Sequence, residues 1–440
     1  MHSLRHKSYS LGRDCLRTTT TANARQRKSY SAAYVTVGRL FARLHHVSAV
    51  VVGSGPAGVA TVGNLLEQLG EGGKVAWIDP AFRGGRVNRK YREVPSNTQV
   101  GLFLAYADAV KPFQEISKAA PKPNALTALE ELPQNQTCSL HQAGDMIQLL
   151  TDGLTKHDRV ESCVGRVDSA KWDAATSTWT LTVRDYANKK DVVRSAPLVV
   201  YCTGSSPTTV ALPTPFSSSL RLLDLDTALK PSALARNLPA DRSLRIGVMG
   251  SSHSAILVLM NLVHLAQTSH RKLRVRWFAR SPELKYAEYR DGWILYDNTG
   301  LKGDAAKFAR EQLDGDALKT SPAGRVITRV DCSGGAEREQ KALAAELPEC
   351  EYVVQAVGFS RDPLPRMESV GEGVVFDHVT GGFTDATTGE KVEGLFGAGI
   401  AFPEKTVDPE GNVEYAVGFM KFMRFLKKVV PAWVAQTGAK

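Results

Sequence analysis

The six cysteines of this 440-residue chain, Cys15, Cys138, Cys163, Cys202, Cys332 and Cys350, are scattered, and no two stand at Cys-x-x-Cys spacing. That excludes a dithiol made by sequence neighbours and argues against a zinc centre, so no metal is expected and the thiols read as reduced and structural. Long apolar runs are missing as well. No stretch reaches the ~20 residues that span a bilayer, and the most apolar segment, 256–266, is interrupted by Asn261 and His264. The body of the chain also lacks a basic surplus: of a net charge of +10, residues 1–46 hold nine Lys or Arg against one acid, Asp14, while the remainder holds 46 basic against 44 acidic residues. A nearly neutral body is not steered toward polyanions, so a nucleic-acid partner is not expected.

The leading segment is rich in Arg, Ser and Thr and lacks the apolar core of a secretory signal. Val37, Leu40, Phe41 and Leu44 fall on one helical face, with Arg39 and Arg43 elsewhere on the wheel. Residues 1–46 therefore read as a mitochondrial transit peptide, which implies a matrix protein, with a basic tail on a cytoplasmic protein as the alternative.

What the chain does have is two glycine-rich turns, each after an apolar run and before an apolar-rich helix. In the first, Val-Gly-Ser-Gly-Pro-Ala-Gly at 52–58, the run Ala49 to Val52 reads as a buried parallel strand and 57–69 as the helix behind it. Gly53 allows the sharp turn, Gly55 clears the approach of a pyrophosphate, and Gly58 lets helix and strand pack closely. Pro56 occupies a first-turn position where a missing N–H costs nothing, and with Ala57 it opens a helix whose N-terminus attracts phosphate. The next strand, 74–78, ends in Asp79, a carboxylate placed to accept ribose hydroxyls.

The second turn, Met-Gly-Ser-Ser-His-Ser-Ala at 249–255, has Gly250, Ser252 and Ala255 where three glycines often stand. Small side chains keep the approach open, and His253 reads as a turn residue. Its second strand, 273–278, is followed by Ala279 and Arg280 rather than by an acid. A guanidinium grips a 2′-phosphate that a carboxylate would repel, so NADP is expected in preference to NAD.

Between the turns, 160–167, 178–185 and 191–193 read as a small antiparallel meander. Two further apolar strands end in glycine, 198–204 in Gly204 and 352–358 in Gly358. Pro207, Pro213, Pro215, Pro231 and Pro239 mark a stiff solvated linker.

With these motifs in place, the chain from about residue 47 onward resembles the two-dinucleotide flavoproteins: the thioredoxin-reductase-like class II pyridine nucleotide-disulfide oxidoreductases and the neighbouring flavin and ornithine or lysine N-monooxygenases. The resemblance implies an α/β fold of two doubly wound nucleotide-binding domains, with an NAD(P)H domain (240–349) inserted in a discontinuous FAD domain (47–210 and 350–440). It makes Gly204 and Gly358 the domain crossings. The segment 394–399 is similar to the third flavin motif, placing Gly399 beside the ribityl chain, although Ile400 stands where the family often has an acid. A helix beginning in 411–418, with Tyr415 and Ala416 at its head, would aim its N-terminus at the flavin. The loop 82–99 would pass the flavin ring, with Arg86, Asn88, Asn97, Thr98 and Gln99 as lining groups. The Phe-x-Gly-x-x-x-His signature of flavin monooxygenases is not met, since Asn88 occupies the histidine position. The aromatic and polar stretch 284–300 reads as a surface excursion of the second domain or as a lid.

The function expected is that of an FAD-dependent, NAD(P)H-using oxidoreductase, passing hydride from nicotinamide to flavin and on to a small-molecule acceptor or oxygen. An N-hydroxylating monooxygenase and a non-catalytic FAD-binding protein are the alternatives. No catalytic acid or base is visible, the partner implied is a small-molecule substrate, and oligomer formation is left open.

Overall fold

Continuous apolar runs and alternating ones sort this chain into two sheets, and the sheets decide where the glycine turns lie. The computed structural model describes residues 45–212, 220–371 and 373–439. The leader up to residue 44, with its helical pattern at 37–44, lies outside these, as do Pro213 and Pro215.

Five strands form the parallel centre of the first sheet, in the order Val160–Asp173, Val75–Asp79, Ala49–Val52, Leu198–Tyr201 and Lys391–Gly397. Their apolar runs are continuous because both faces are covered. On one face Val51, Trp77 and Leu65 pack with Phe425 and Trp433 of the last helix; on the other Val50, Ile78 and Val199 pack with Trp179, Phe383 and Phe402. Val160–Asp173, Thr178–Asp185 and Lys190–Ala196 form the expected meander. His45–His46, assigned by composition to the leader, instead pair in parallel with Arg194 and Ser195 at its edge.

The second sheet is entirely parallel, in the order Arg221–Leu222, Tyr352–Gln355, Leu244–Met249, Leu273–Ala279 and Ile327–Asp331. Tyr352–Gln355 thus lies in the second sheet, although a boundary at 350 had placed it with the first domain. The proline-marked stretch also differs from a solvated linker. Leu225–Ala228 and Pro231–Asn237 are helices that bury Leu225 and Leu234 in the second core, and Pro231 merely opens the latter helix. The sheets are joined by a two-stranded crossing, Ser205–Pro207 against Phe359–Arg361, entered through Gly204 and Gly358 at φ +83° and +114°.

The largest departure from expectation is near the C-terminus. Residues 411–418 do not begin a helix: Val413–Ala416 is a strand paired with Glu404–Val407, and the helix is Phe419–Thr437. Alternation decides it, with Glu414 and Ala416 buried and Val413 and Tyr415 exposed. Glu414 is 5% exposed and takes four donors from the second domain: the backbone N–H groups of Asn298 and Thr299 at 3.0 Å each, the Thr299 hydroxyl at 2.5 Å and the Asn298 side-chain amide at 3.3 Å. Lys421 adds an ion pair with Asp297 at 2.7 Å. The stretch 284–300 is therefore a surface excursion, carrying the hairpin Glu288–Arg290 and Trp293–Leu295, whose far end is tied to the first domain.

Replacing Glu414 by Ala strands those donors, at a cost on the order of 3 kcal/mol. A lower melting temperature and faster proteolytic cutting within 284–300 are expected; unchanged cutting would show that Glu414 does not anchor the excursion.

Candidate functional site

The first glycine turn is shaped by what surrounds it. Gly53 has φ +109°, and a Cβ there would lie 2.3 Å from the Cys202 carbonyl oxygen of the neighbouring parallel strand. A Cβ on Gly58 would lie 2.0 Å from the Gly53 oxygen. Gly55 differs: the nearest atom to its Cβ would be Gly85 Cα, 3.9 Å away, so its side faces space rather than protein. It caps the helix Pro56–Gln68 without a side chain, which leaves the first-turn N–H groups of Ala57 and Gly58 for a ligand. Gly399, at φ +91°, closes the same place, since a Cβ there would lie 2.6 Å from Ala57 Cβ. Gly53, Gly55, Pro56, Ala57, Gly58 and Gly399 thus form one cradle. The Tyr106 hydroxyl donates to the Pro56 carbonyl at 2.5 Å and steadies its floor.

Asp79 stands at the tip of its strand, as expected, but much of its carboxyl serves the loop itself. One oxygen accepts the Ser54 N–H at 2.8 Å, and the other accepts those of Ala81 and Phe82 at 2.8 and 2.7 Å.

The second turn repeats the construction. Gly250 has φ +119°, and a Cβ there would lie 2.3 Å from the Ala356 oxygen. Ser252 caps the helix His253–Thr268 with no side-chain bond, and Ala255 is buried beneath it. His253 is the first residue of that helix. Burial, helped by the charge of Lys302, pushes its imidazole down to about 4, so it is neutral at physiological pH, and its buried Nδ1 meets no protein partner. Arg280 is exposed at the end of its strand, where Glu339 accepts from its Nε at 2.7 Å.

Three expected site groups are engaged within the protein. The Arg86 guanidinium pairs with the buried Asp226 of the second domain at 2.5 Å, and Nε donates to the Tyr91 hydroxyl at 3.2 Å. Burial works against the Arg86 charge, but Tyr91 and Asp226 outweigh it and hold the guanidinium protonated. Tyr415 is not at a helix head; it is half-exposed and packs against His378, with ring centroids 4.7 Å apart, while Ala416 is buried in the hairpin. Asn88 is likewise used within the protein, accepting from Arg92 at 2.5 Å.

Sequence offered no mark of the polar lock around Arg86. Asp226 also accepts from Tyr91 at 3.0 Å, and Ser206 of the crossing donates to Asp362 at 2.6 Å. Beside this lock lies a cleft of about 290 Å³, lined among others by Arg86, Ser206, Thr209, Asp224, Asp226 and Gln355.

Both turns fit an adenine dinucleotide. Each is a cradle that a Cβ would fill, each opens a long helix without a side-chain cap, and buried polar atoms without protein partners lie on their lips or the adjoining crossing: Ser54 Oγ, Thr203 Oγ1, Ser205 Oγ and His253 Nδ1.

Comparison with known proteins agrees. Residues 50–206 match a family described as FAD-NAD(P)-binding. The chain is 54% identical over 390 residues to the monooxygenase AgnR1 of Paecilomyces divaricatus, covering 88% of this chain and 98% of that one. Among solved structures, the ornithine N-hydroxylase of Kutzneria sp. 744 aligns with a TM-score of 0.57 at 14% identity, covering 89% of this chain and 99% of that one. A bacillithiol disulfide reductase from Bacillus cereus aligns with a TM-score of 0.51 at 11% identity over the same shares. At such identities these two show the fold alone.

Gly55→Val puts side-chain bulk on the open side of the first cradle, where the Cβ itself meets no protein atom closer than 3.9 Å. The variant is expected to be soluble and colourless after purification; a yellow, flavin-loaded variant would show that the pyrophosphate does not pass Gly55.

Proposed function

The chain belongs to the FAD-NAD(P)-binding family of the monooxygenase AgnR1, and on that premise we propose that it is an NADPH-dependent flavin monooxygenase acting on a small organic molecule. It is an FAD-dependent, NAD(P)H-using oxidoreductase. In the proposed reaction one atom of O₂ goes to the substrate and the other leaves as water; NADPH supplies two electrons and one proton, and solvent supplies the second proton.

The observation that carries the reading is the pairing of two cradles of one design across a domain junction held at two places. Bound FAD supplies a ring that accepts hydride and activates oxygen, and NADPH supplies the hydride. The protein contributes placement. The Ala57 and Gly58 N–H groups and the dipole of their helix would hold the pyrophosphate of FAD, and the helix opened by His253 would do the same for NADPH. The Arg86–Asp226 pair at one junction and the Glu414 and Lys421 contacts at the other hold the cradles in register. Burial works against the Asp297 charge, but Lys302 and Lys421 outweigh it and keep its carboxyl below the usual range, so that contact persists into mild acid. Neutral His253 adds no charge at the second phosphate site.

The preference for NADPH rests on Arg280. Its ion pair uses Nε rather than the terminal N–H groups that a 2′-phosphate would take.

The reading is tested by reducing the full-length protein with NADPH without air and then mixing it with oxygenated buffer. Two-phase return of the yellow colour is expected, with peroxide released only in the second phase. Immediate single-phase return with equivalent peroxide would mark a reductase or oxidase, and failure to bleach would mark a structural flavin. Arg280→Ala is expected to raise KM for NADPH roughly 10-fold, as loss of an exposed charge-assisted contact does, and to leave NADH little changed. Equal loss for both would contradict the assignment.

A further inference from the structure

The two cradles share a feature that neither glycine pattern contains. Trp77 and Trp277 each occupy the strand next to a glycine turn and hold the same register: Val51 is paired with Trp77, and Val248 with Trp277. Both indoles are fully buried. A buried indole N–H needs an acceptor. In each domain it finds the carbonyl of the first loop glycine, Trp77 Nε1 donating to Gly53 at 2.8 Å and Trp277 Nε1 to Gly250 at 2.7 Å. The backbone around each contact matches as well: Gly53 donates to Ile78 at 2.8 Å and Gly250 to Phe278 at 3.0 Å, while Cys202 donates to Val52 at 2.8 Å and Ala356 to Met249 at 2.9 Å.

The first loop glycine has positive φ in both turns, so its carbonyl direction is a soft variable that strand pairing does not set. We propose that Trp77 and Trp277 are positioning residues, one for each dinucleotide, whose indole N–H turns this carbonyl away from the phosphate path and aims the following backbone N–H groups at the ligand. The proposal rests on the reading of the two turns as FAD and NADPH sites.

The cradles then differ at the next strand position on that face. In the first, the 53–54 peptide is held at both ends, its carbonyl by Trp77 and its N–H by Asp79. In the second, Ala279 stands where Asp79 does and offers no side-chain acceptor. The loop pinned at both ends suits a resident cofactor, and the loop pinned by the indole alone suits one that exchanges at every turnover.

The test compares Trp77→Phe and Trp277→Phe, which keep an aromatic ring and lose the N–H, in the full chain. Flavin release is followed by fluorescence and NADP⁺ affinity by calorimetry. Trp77→Phe is expected to weaken FAD about 10-fold with NADP⁺ affinity unchanged, and Trp277→Phe to weaken NADP⁺ about 10-fold with FAD retained, raising KM for NADPH while kcat holds, as loss of one hydrogen bond to a buried carbonyl does. A general packing defect would instead lower the melting temperature and weaken both ligands alike, and that result, or unchanged affinities, overturns the proposal. If Trp77→Phe does not accumulate as soluble protein, Trp277→Phe decides alone. Wild-type protein that binds neither ligand would refute the functional reading itself, which separates that failure from this one.

Discussion

A carbonyl oxygen at the end of a parallel strand leaves no room for a side chain at the start of each nucleotide loop. In the first domain the oxygen is that of Cys202, in the second that of Ala356, and each would lie 2.3 Å from a Cβ on the facing glycine. A contact so short, against backbone on both sides, has no rotamer that relieves it. Glycine is therefore demanded there by the sheet before any ligand is considered. The sharp turn that follows lets the helix begin at once, and its uncapped N-terminus becomes the place where phosphate charge is stabilised.

Two such cradles make an oxidoreductase only if they face each other in a fixed way. The crossing ribbon alone is short and would act as a hinge. Side chains far apart in sequence stiffen it: Arg86 reaches Asp226 across the cleft, and Glu414 gathers the loop at Asn298 and Thr299. These contacts are polar and partly buried, so they specify one arrangement, and Val94 of the first domain packs into the second core beside them. That balance suits a junction that has to admit and release a nucleotide.

Much of this is legible in the amino-acid sequence alone. The two turns, their strands and helices, the meander and the crossings at Gly204 and Gly358 all carry local signals, because each depends on residues within a few positions of one another. The polar locks do not. Arg86 and Asp226 are separated by 140 positions and Glu414 and Thr299 by 115, and nothing near either end announces its partner. For the same reason the residues around Arg86 give no sign of its ion pair with Asp226. The stretch 411–418 misled differently: it runs into an apolar helix, and its strand alternation is only four residues long. The tryptophan contacts carry no local signal, because Trp77 and Trp277 sit in strands where any large apolar residue would serve the core, and only the position of the indole nitrogen distinguishes them.

The central claim is that electrons entering at the Gly250 cradle reach a flavin held at the Gly53 cradle of the same chain. Anaerobic mixing with NADPH in a stopped-flow spectrometer, wild type beside Ser252→Asp, which sets a carboxylate at the uncapped start of the second helix, tests it most directly. The account requires that wild type be yellow and bleach, and that the variant be equally yellow and remain so. Bleaching of both at the same rate, or wild-type protein that is colourless and takes up no added FAD, would contradict it.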